Sequence, residues 1–234
     1  MKLQSSRAAD NDVVTRDKDS SADSLPAWKW TGGETLDFVY ASNDRSLQVL
    51  QELSARGSEI FDIVSALRGL WAKLDESARH RAAKCPFLLV EMRFDSVKWW
   101  REPKSAPAMS QAPSAAPQAS FPKEAARELS VEALTLAWHT ARSDPRVAAQ
   151  VLGVSPAVAG IIASLGPRDV QRIALRHSHE LRPRWNNNPG FWQQLLLTAI
   201  AGNEAFLSEF YLHGLQLLGA DLLGARSSSE RPPG

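Results

Sequence analysis

The chain has 234 residues, of which 44% are hydrophobic and 23% charged, and its 27 basic and 26 acidic residues leave a net charge of +1. This is ordinary globular composition, and the charge balance excludes a strong overall field, so a nucleic-acid surface would need local clustering of cations. The single cysteine, Cys85, excludes an internal disulfide and fits a reducing cytoplasm; burial and an intermolecular bridge both stay open for this thiol.

The N-terminal residues 1–26 are polar and rich in Ser and Asp, which predicts a disordered tail. They lack the apolar core of a signal peptide. No run in the sequence approaches the roughly 18 apolar residues that a membrane span needs. We therefore expect a cytoplasmic protein.

Residues 27–100 predict a first helical domain. Asp44 and Asp75 are expected to cap helices, and Gly57 is expected to end the first of them. The predicted elements are helices over 44–57, 59–71 and 75–85, followed by a short extended piece over 87–95.

Residues 101–123 contain five prolines among Ala and Ser, which predicts a semi-rigid linker. A second helical domain follows over 124–223, ahead of a disordered tail at 224–234. Its six short helices are predicted from start signals at Ser130, Asp144-Pro145, Ser155-Pro156, Gly166-Pro167, Asn188-Pro189 and Gly202-Asn203, with Gly219 ending the last one. The sequence thus predicts an all-α protein of two small domains.

The two halves align without a gap when the chain is shifted by 91 residues. Arg93 then falls on Arg184, Phe94 on Trp185 and Trp100 on Phe191, and apolar positions stay in phase. A tandem duplication explains this pattern; two helical domains that share only a 3.6-residue rhythm are the alternative.

The second half resembles FlhD, a subunit of the bacterial flagellar master activator. The resemblance is carried by "LTLAWHTARSDPRVAAQVLGVSP" and "ASLGPRDVQRIALRHSHELRPRW" and, in the first half, by "RFDS" from Arg93 to Ser96. It implies a small helical fold that dimerises through its first helices, ends in a helix-turn-helix-like segment and works in a larger assembly on promoter DNA. A tandem copy would be similar to that dimer fused into one chain.

Aromatic residues near the predicted corner of each half are candidate contacts for a protein partner. They are Trp99, Trp100, Trp185, Phe191 and Trp192, and Trp28 and Trp30 are weaker candidates of the same kind. Packing in the core is the alternative.

Arginines are the candidate contacts for nucleic acid or an acidic partner, chiefly Arg168, Arg172 and Arg176, which share one face of a predicted helix, and Arg93 and Arg184. A solvated face that balances acidic surface elsewhere is the alternative. The segment from Gly190 to Gly219 has helix-turn-helix proportions but contains no Lys or Arg, so it favours packing or partner binding over DNA reading.

No arrangement of residues predicts an enzyme, a small-molecule substrate or a cofactor. His177 and His179 are two apart and would point away from each other on a helix, so no metal site is expected. The leading hypothesis is a regulatory or scaffold subunit that binds protein partners in a transcription-activator complex, with DNA contacted through that complex. The alternative is a helical adaptor of a bacterial type III secretion apparatus, comparable to a sorting-platform component.

Overall fold

The computed structural model describes residues 32–102 and 120–229. The predicted tail 1–26, Trp28, Trp30 and the greater part of the predicted linker lie outside these residues.

The described part of the chain is all-α, as the sequence predicts, and contains two short strands, of which only the first lies in the predicted extended piece. The first half contains α1 (Gly32–Ala55), α2 (Asp62–Ala66), α3 (Arg68–Trp71), α4 (Glu76–Ala83), β1 (Val90–Glu91) and α5 (Val97–Arg101). The second half contains α6 (Lys123–Ser143), α7 (Pro145–Leu152), α8 (Pro156–Ser164), α9 (Pro167–Arg176), a 3-10 turn (Ser178–Glu180), β2 (Arg182–Pro183), α10 (Pro189–Ala201) and α11 (Glu204–Ser229).

Local chain chemistry sets the short helices of the second half. The side chains of Asp144, Ser155 and Asn188 each accept a hydrogen bond from a backbone N–H in the first turn of α7, α8 and α10. Gly153 and Gly202 end α7 and α10 in the left-handed conformation. These starts and stops are the predicted ones.

Helices α1 and α6 begin before their predicted caps. Asp44 lies inside α1, where it accepts a hydrogen bond from Arg79 at 3.0 Å, and Ser130 is buried inside α6. The predicted helix 59–71 is divided into α2 and α3 at Leu67. At the other end of the chain α11 passes Gly219 and continues to Ser229, so the predicted domain end at 223 falls within a helix.

The two halves pack as a pair that exchanges α5 and α10. Helix α1 packs against α4, α6 packs against α9, and α1 and α6 pack against each other. Helix α10 of the second half packs on α2, α3 and α4 of the first, and α5 of the first half packs on α8 of the second. Between them β1 and β2 form an antiparallel pair, with Val90 opposite Pro183 and Glu91 opposite Arg182.

One hydrophobic core runs through both halves, so the two predicted domains do not have separate cores. The rings of Trp71 and Trp192, from different halves, are 6.1 Å apart, and those of Phe61 and Phe121 are 5.0 Å apart. The side-chain amide of buried Asn43 on α1 donates to the carbonyls of Ala83, at the end of α4, and of Cys85 and Phe87 after it, and its oxygen accepts from the backbone N–H of Leu89. This satisfies an irregular buried backbone that would otherwise lack partners.

Among the described residues, no single helix is long and apolar enough to cross a membrane; α7 and α8 together have the length and composition but are bent by 115° at their junction.

Candidate partner-binding site

Each short strand leads into a tight corner before a helix. After β1, Arg93 has a φ of 52°, and after β2, Trp185 has a φ of 51°, which are unusual values for residues other than glycine. The next helices start at Ser96 and Asn188, whose side chains each accept a hydrogen bond from the backbone N–H three residues on. The two corners therefore have the same local construction.

Three of the aromatic candidates fill the core behind these corners. The indole N–H of Trp100 donates to the carbonyl of Arg93 at 2.8 Å, and that of Trp192 donates to the carbonyl of Arg184 at 2.9 Å. Trp100, Phe191 and Trp192 are buried. This corrects their prediction as partner contacts, because their rings pack inside and both indole donors are already satisfied.

Trp99 and Trp185 are only partly buried. The ring of Trp99 meets that of His177 edge to face at 5.3 Å, and the indole of Trp185 donates to Asp221 at 2.7 Å. Of the five predicted aromatic contacts, these two present some surface to a partner.

Arg184 is buried and ties the halves together, which corrects its prediction as a nucleic-acid contact. Its Nε donates to the carbonyl of Leu88 at 3.0 Å and its Nη2 to that of Leu152 at 2.7 Å. The guanidinium lies against Gly153, where a Cβ would be 2.6 Å from Nη1. The absence of a side chain at Gly153 makes room for the guanidinium.

A polar cavity of about 670 Å³ adjoins this arginine, but its charged groups largely satisfy one another. Burial lowers the pKa of the Arg184 guanidinium, while the carboxylates of Glu91, Asp221 and Asp95 act in the opposite direction. Arg182 pairs with Glu91 across the strands. Among the described lining residues three carboxylates face two arginines, and the pairing of Arg182 with Glu91 leaves Asp95 and Asp221 to act on Arg184.

Arg93 is also engaged across the two halves. Its Nε donates to Glu180 at 2.8 Å, two positions along the strands from the pair of Arg182 and Glu91. Both ion pairs are partly buried and connect the first half with the second. Arg93 therefore orients the strand pair and is not free to bind phosphate.

The α9 arginines remain at the surface. Arg168 is exposed, Arg172 is exposed and pairs with Asp169 at 2.7 Å, and Arg176 is partly buried. A shallow cavity of about 210 Å³ lies between α9 and the end of α5; Arg172 lines it together with the acidic residues Glu102 and Asp169. We call Lys98, Arg101, Arg168, Arg172 and Arg176 the basic surface.

The terminal hairpin of α10 and α11 is mainly a packing element. Phe191, Trp192 and Leu195 of α10 and Leu207 and Phe210 of α11 are buried. The sequence from 190 to 219 offers no cation to a phosphate. Its geometry and composition both favour packing over DNA reading.

An apolar groove between α1 and α6 escapes prediction from the sequence. It encloses about 500 Å³ and is lined by Phe38, Ala41, Ser42 and Arg45 of α1 and by Val131, Glu132, Thr135, Leu136 and His139 of α6. Phe38 is 53% exposed although it lies on a helix that packs into the core. The spacing of the four α1 residues marks one helical stripe, but nothing in the sequence shows what faces it.

Charge at one end of the groove is unbalanced. Arg45 pairs with two carboxylates, with Glu132 at 2.9 Å and with Glu128. Burial raises the pKa of Glu132, with a smaller contribution from Glu128, while Arg45 opposes the shift. At the other end, burial and Arg142 lower the pKa of His139, which favours its neutral form.

No group of three metal-ligating side chains comes together within residues 32–102 and 120–229. Comparison of the chain with protein-family models, with curated proteins and with solved structures finds no match. Residues 32–102 and 120–229 define an all-α protein with an apolar groove between α1 and α6 and with exposed basic residues on α5 and α9.

Proposed function

We propose that this chain is a non-enzymatic regulatory or scaffold subunit of the bacterial cytoplasm that works within a multi-protein complex, in the leading case a transcription activator. The observation that carries the proposal is the packing of α1 against α6, the first long helix of each half. The resemblance to FlhD implies dimerisation through first helices, and the exchange of α5 and α10 is what a dimer fused into one chain would contain.

We also propose that the two halves arose by tandem duplication. The two corners support this, since the caps Ser96 and Asn188 and the indole donors Trp100 and Trp192 are 92 residues apart, while the carbonyls that accept from the indoles, those of Arg93 and Arg184, are 91 apart. The supported shift at the corners is 92 residues, one more than the gapless alignment uses.

The contribution of this subunit is protein contact, with most DNA contacts supplied by a partner. Arg93 and Arg184 are engaged inside the chain, and the terminal hairpin has no cation between 190 and 219. The basic surface is the remaining candidate for a phosphate or an acidic partner.

The second candidate is an adaptor of a type III secretion apparatus. The hairpin without cations favours it, because a helix that reads DNA needs donors toward bases and positive charge toward phosphates.

A salt-titrated DNA-binding assay on the full chain, alone and with partners that copurify from its host, separates the two. A regulator complex binds promoter DNA with an affinity that falls steeply with salt, because phosphate contacts release counterions. In that case we expect a smaller slope of the logarithm of the binding constant against the logarithm of the salt concentration in the triple variant Arg168→Gln/Arg172→Gln/Arg176→Gln. The decrease is about 0.9 for each phosphate that is no longer neutralised.

The matched control is Arg56→Gln/Arg68→Gln, which removes exposed arginines of the first half. Its salt slope should equal that of the unaltered chain. A complete complex without salt-sensitive binding to any promoter DNA refutes the activator proposal and leaves the adaptor.

A further inference from the structure

The groove between α1 and α6 has the shape that receives a helix. Phe38, Ala41 and Arg45 recur at helical spacing and form one wall over two turns, and α6 supplies the other wall. The backbone groups of both walls are used within their own helices, so neither wall can pair with an extended peptide. An apolar side-chain stripe on a third helix is what such a groove accepts.

The charged residues beside the groove determine which charge the flanking side chains of a bound helix should have. Among the described lining residues Arg45 is the cation, and its guanidinium is shared by Glu132 of the lining and by Glu128, one turn earlier on α6. Asp37, next to Phe38, is exposed and adds negative charge. Arg142, beyond His139, has its guanidinium over the ring of Trp138 at 4.9 Å.

We propose that this groove binds an amphipathic helix of a partner protein, with an apolar stripe facing Phe38, Val131 and Leu136 and a Lys or Arg facing Glu128 and Glu132. The inference rests on the proposed function in that both require protein partners. It goes further by stating the chemistry of the segment that binds. Charge complementarity then gives specificity, and the apolar contacts give affinity.

The test uses the full chain and a fluorescein-labelled synthetic peptide about five helical turns long, with Leu at helical spacing and Lys on the flanks. Two counterpart peptides replace every Lys by Glu, or every Leu by Ser. Fluorescence anisotropy measures binding at low and high salt. The Lys peptide should bind, while the Glu and Ser counterparts should bind at least about tenfold more weakly, as for loss of charge complementarity or of anchor side chains.

Three variants locate the binding. Phe38→Ser should weaken binding of the Lys peptide about tenfold or more, as expected for loss of an aromatic anchor. Glu128→Gln/Glu132→Gln should remove the preference for Lys over Glu. Phe206→Ser removes an aromatic of α11 that is 60% exposed and is the matched control, so its affinity should be unchanged. Circular dichroism verifies that each variant is folded.

Several outcomes overturn the proposal: no binding of the Lys peptide, equal binding of the Lys and Glu peptides, or no effect of Phe38→Ser. Light scattering that shows a dimer disrupted by Phe38→Ser assigns the groove to a second copy. Stronger peptide binding by Trp28→Ser/Trp30→Ser assigns it to the N-terminal segment of the chain itself. The peptide titration contains no DNA, so failure of the activator proposal leaves this result intact, and the reverse also holds.

Discussion

The substitution Gly153→Ala tests the buried link between Arg184 and the carbonyl of Leu152. Gly153 has a φ of 60°, and a Cβ there would be 2.6 Å from Nη1 of Arg184 and 3.1 Å from its Cζ. The guanidinium cannot retreat without breaking its hydrogen bonds to Leu88 at 3.0 Å and to Leu152 at 2.7 Å. The alanine therefore strains the backbone and displaces a buried arginine together.

The two costs can be separated with Gly57→Ala. Gly57 has a φ of 72° and nothing within 4 Å of an added Cβ, so this variant carries the backbone cost of about 1–2 kcal/mol alone. Gly153→Ala adds the loss of at least one hydrogen bond to a buried charged group, about 1.5–3 kcal/mol. We expect the free energy of unfolding to fall by about 2.5–5 kcal/mol in Gly153→Ala.

Urea unfolding followed by tryptophan fluorescence and by circular dichroism measures both variants, with the midpoint and slope compared. A double variant with Arg184→Ala completes a cycle, in which the cost of Gly153→Ala should fall to that of Gly57→Ala. Equal costs for the two glycine variants in the unaltered background, or no coupling to Arg184, would refute the reasoning.

Three further predictions concern single contacts. In α11, Gly214→Ala brings a Cβ into the ring of Phe87 and should lower the free energy of unfolding by about 1–3 kcal/mol. Gly219→Ala places its Cβ in open space and should raise the free energy of unfolding by about 0.5–1 kcal/mol. Thermal unfolding measures both variants, and melting temperatures that shift in the same direction contradict the prediction. Asn43→Leu leaves four buried backbone groups without their partner and should cost at least about 3 kcal/mol in urea unfolding, so a loss under about 1 kcal/mol argues against these bonds. The backbone N–H of Ala78 in α4 lowers the pKa of the Asp75 carboxyl. The stabilisation of the folded state by this carboxylate is therefore complete above the pKa of the unfolded carboxyl and is lost as pH falls through the lower folded pKa. Asp75→Asn should flatten the dependence of the urea midpoint on pH in that window, and an unchanged dependence contradicts this.

Short helices whose ends are set by neighbouring residues could be predicted from the sequence. Asp144, Ser155 and Asn188 accept hydrogen bonds from the first turn that follows each of them, and Gly153 and Gly202 supply the left-handed ends. These contacts span two to four residues, so the chain segment itself contains the information.

Where tertiary packing decides, local signals mislead. Asp44 has the chemistry of a cap, but α1 continues through it because the flanking turns pack against α4 and α6, and its carboxylate pairs with Arg79. Ser130 is buried in α6 for a comparable reason. Its hydroxyl has no hydrogen-bond partner in the described part of the chain.

In the candidate site, too, the local features could be predicted from the sequence, and those that depend on tertiary packing could not. The surface position of Arg168 and Arg172 follows from the helical face that they share. The groove depends on Phe38 and Val131, which are far apart in sequence and become neighbours only when α1 packs on α6. A single sequence contains no signal for that pairing.

The strand pair explains why the apparent repetition of arginine misleads. In the 91-residue alignment Arg93 corresponds to Arg184, yet the positive φ of Arg93 recurs at Trp185, which places Met92 opposite Arg184 in the turn. Met92 and Arg184 are both buried there. Arg93 instead resembles Arg182, because each forms an ion pair between the two halves: Arg182 with Glu91 within the antiparallel ladder, and Arg93 with Glu180 just beyond it.

The exchange of α5 and α10 limits how the chain can work. Since α10 covers α4 and α5 covers α8, either half alone would expose apolar surface that the other half buries. Arg184 adds a buried charge whose hydrogen bonds also cross from one half to the other. The two halves therefore form one cooperative unit, and the groove between α1 and α6 exists only when both are folded together.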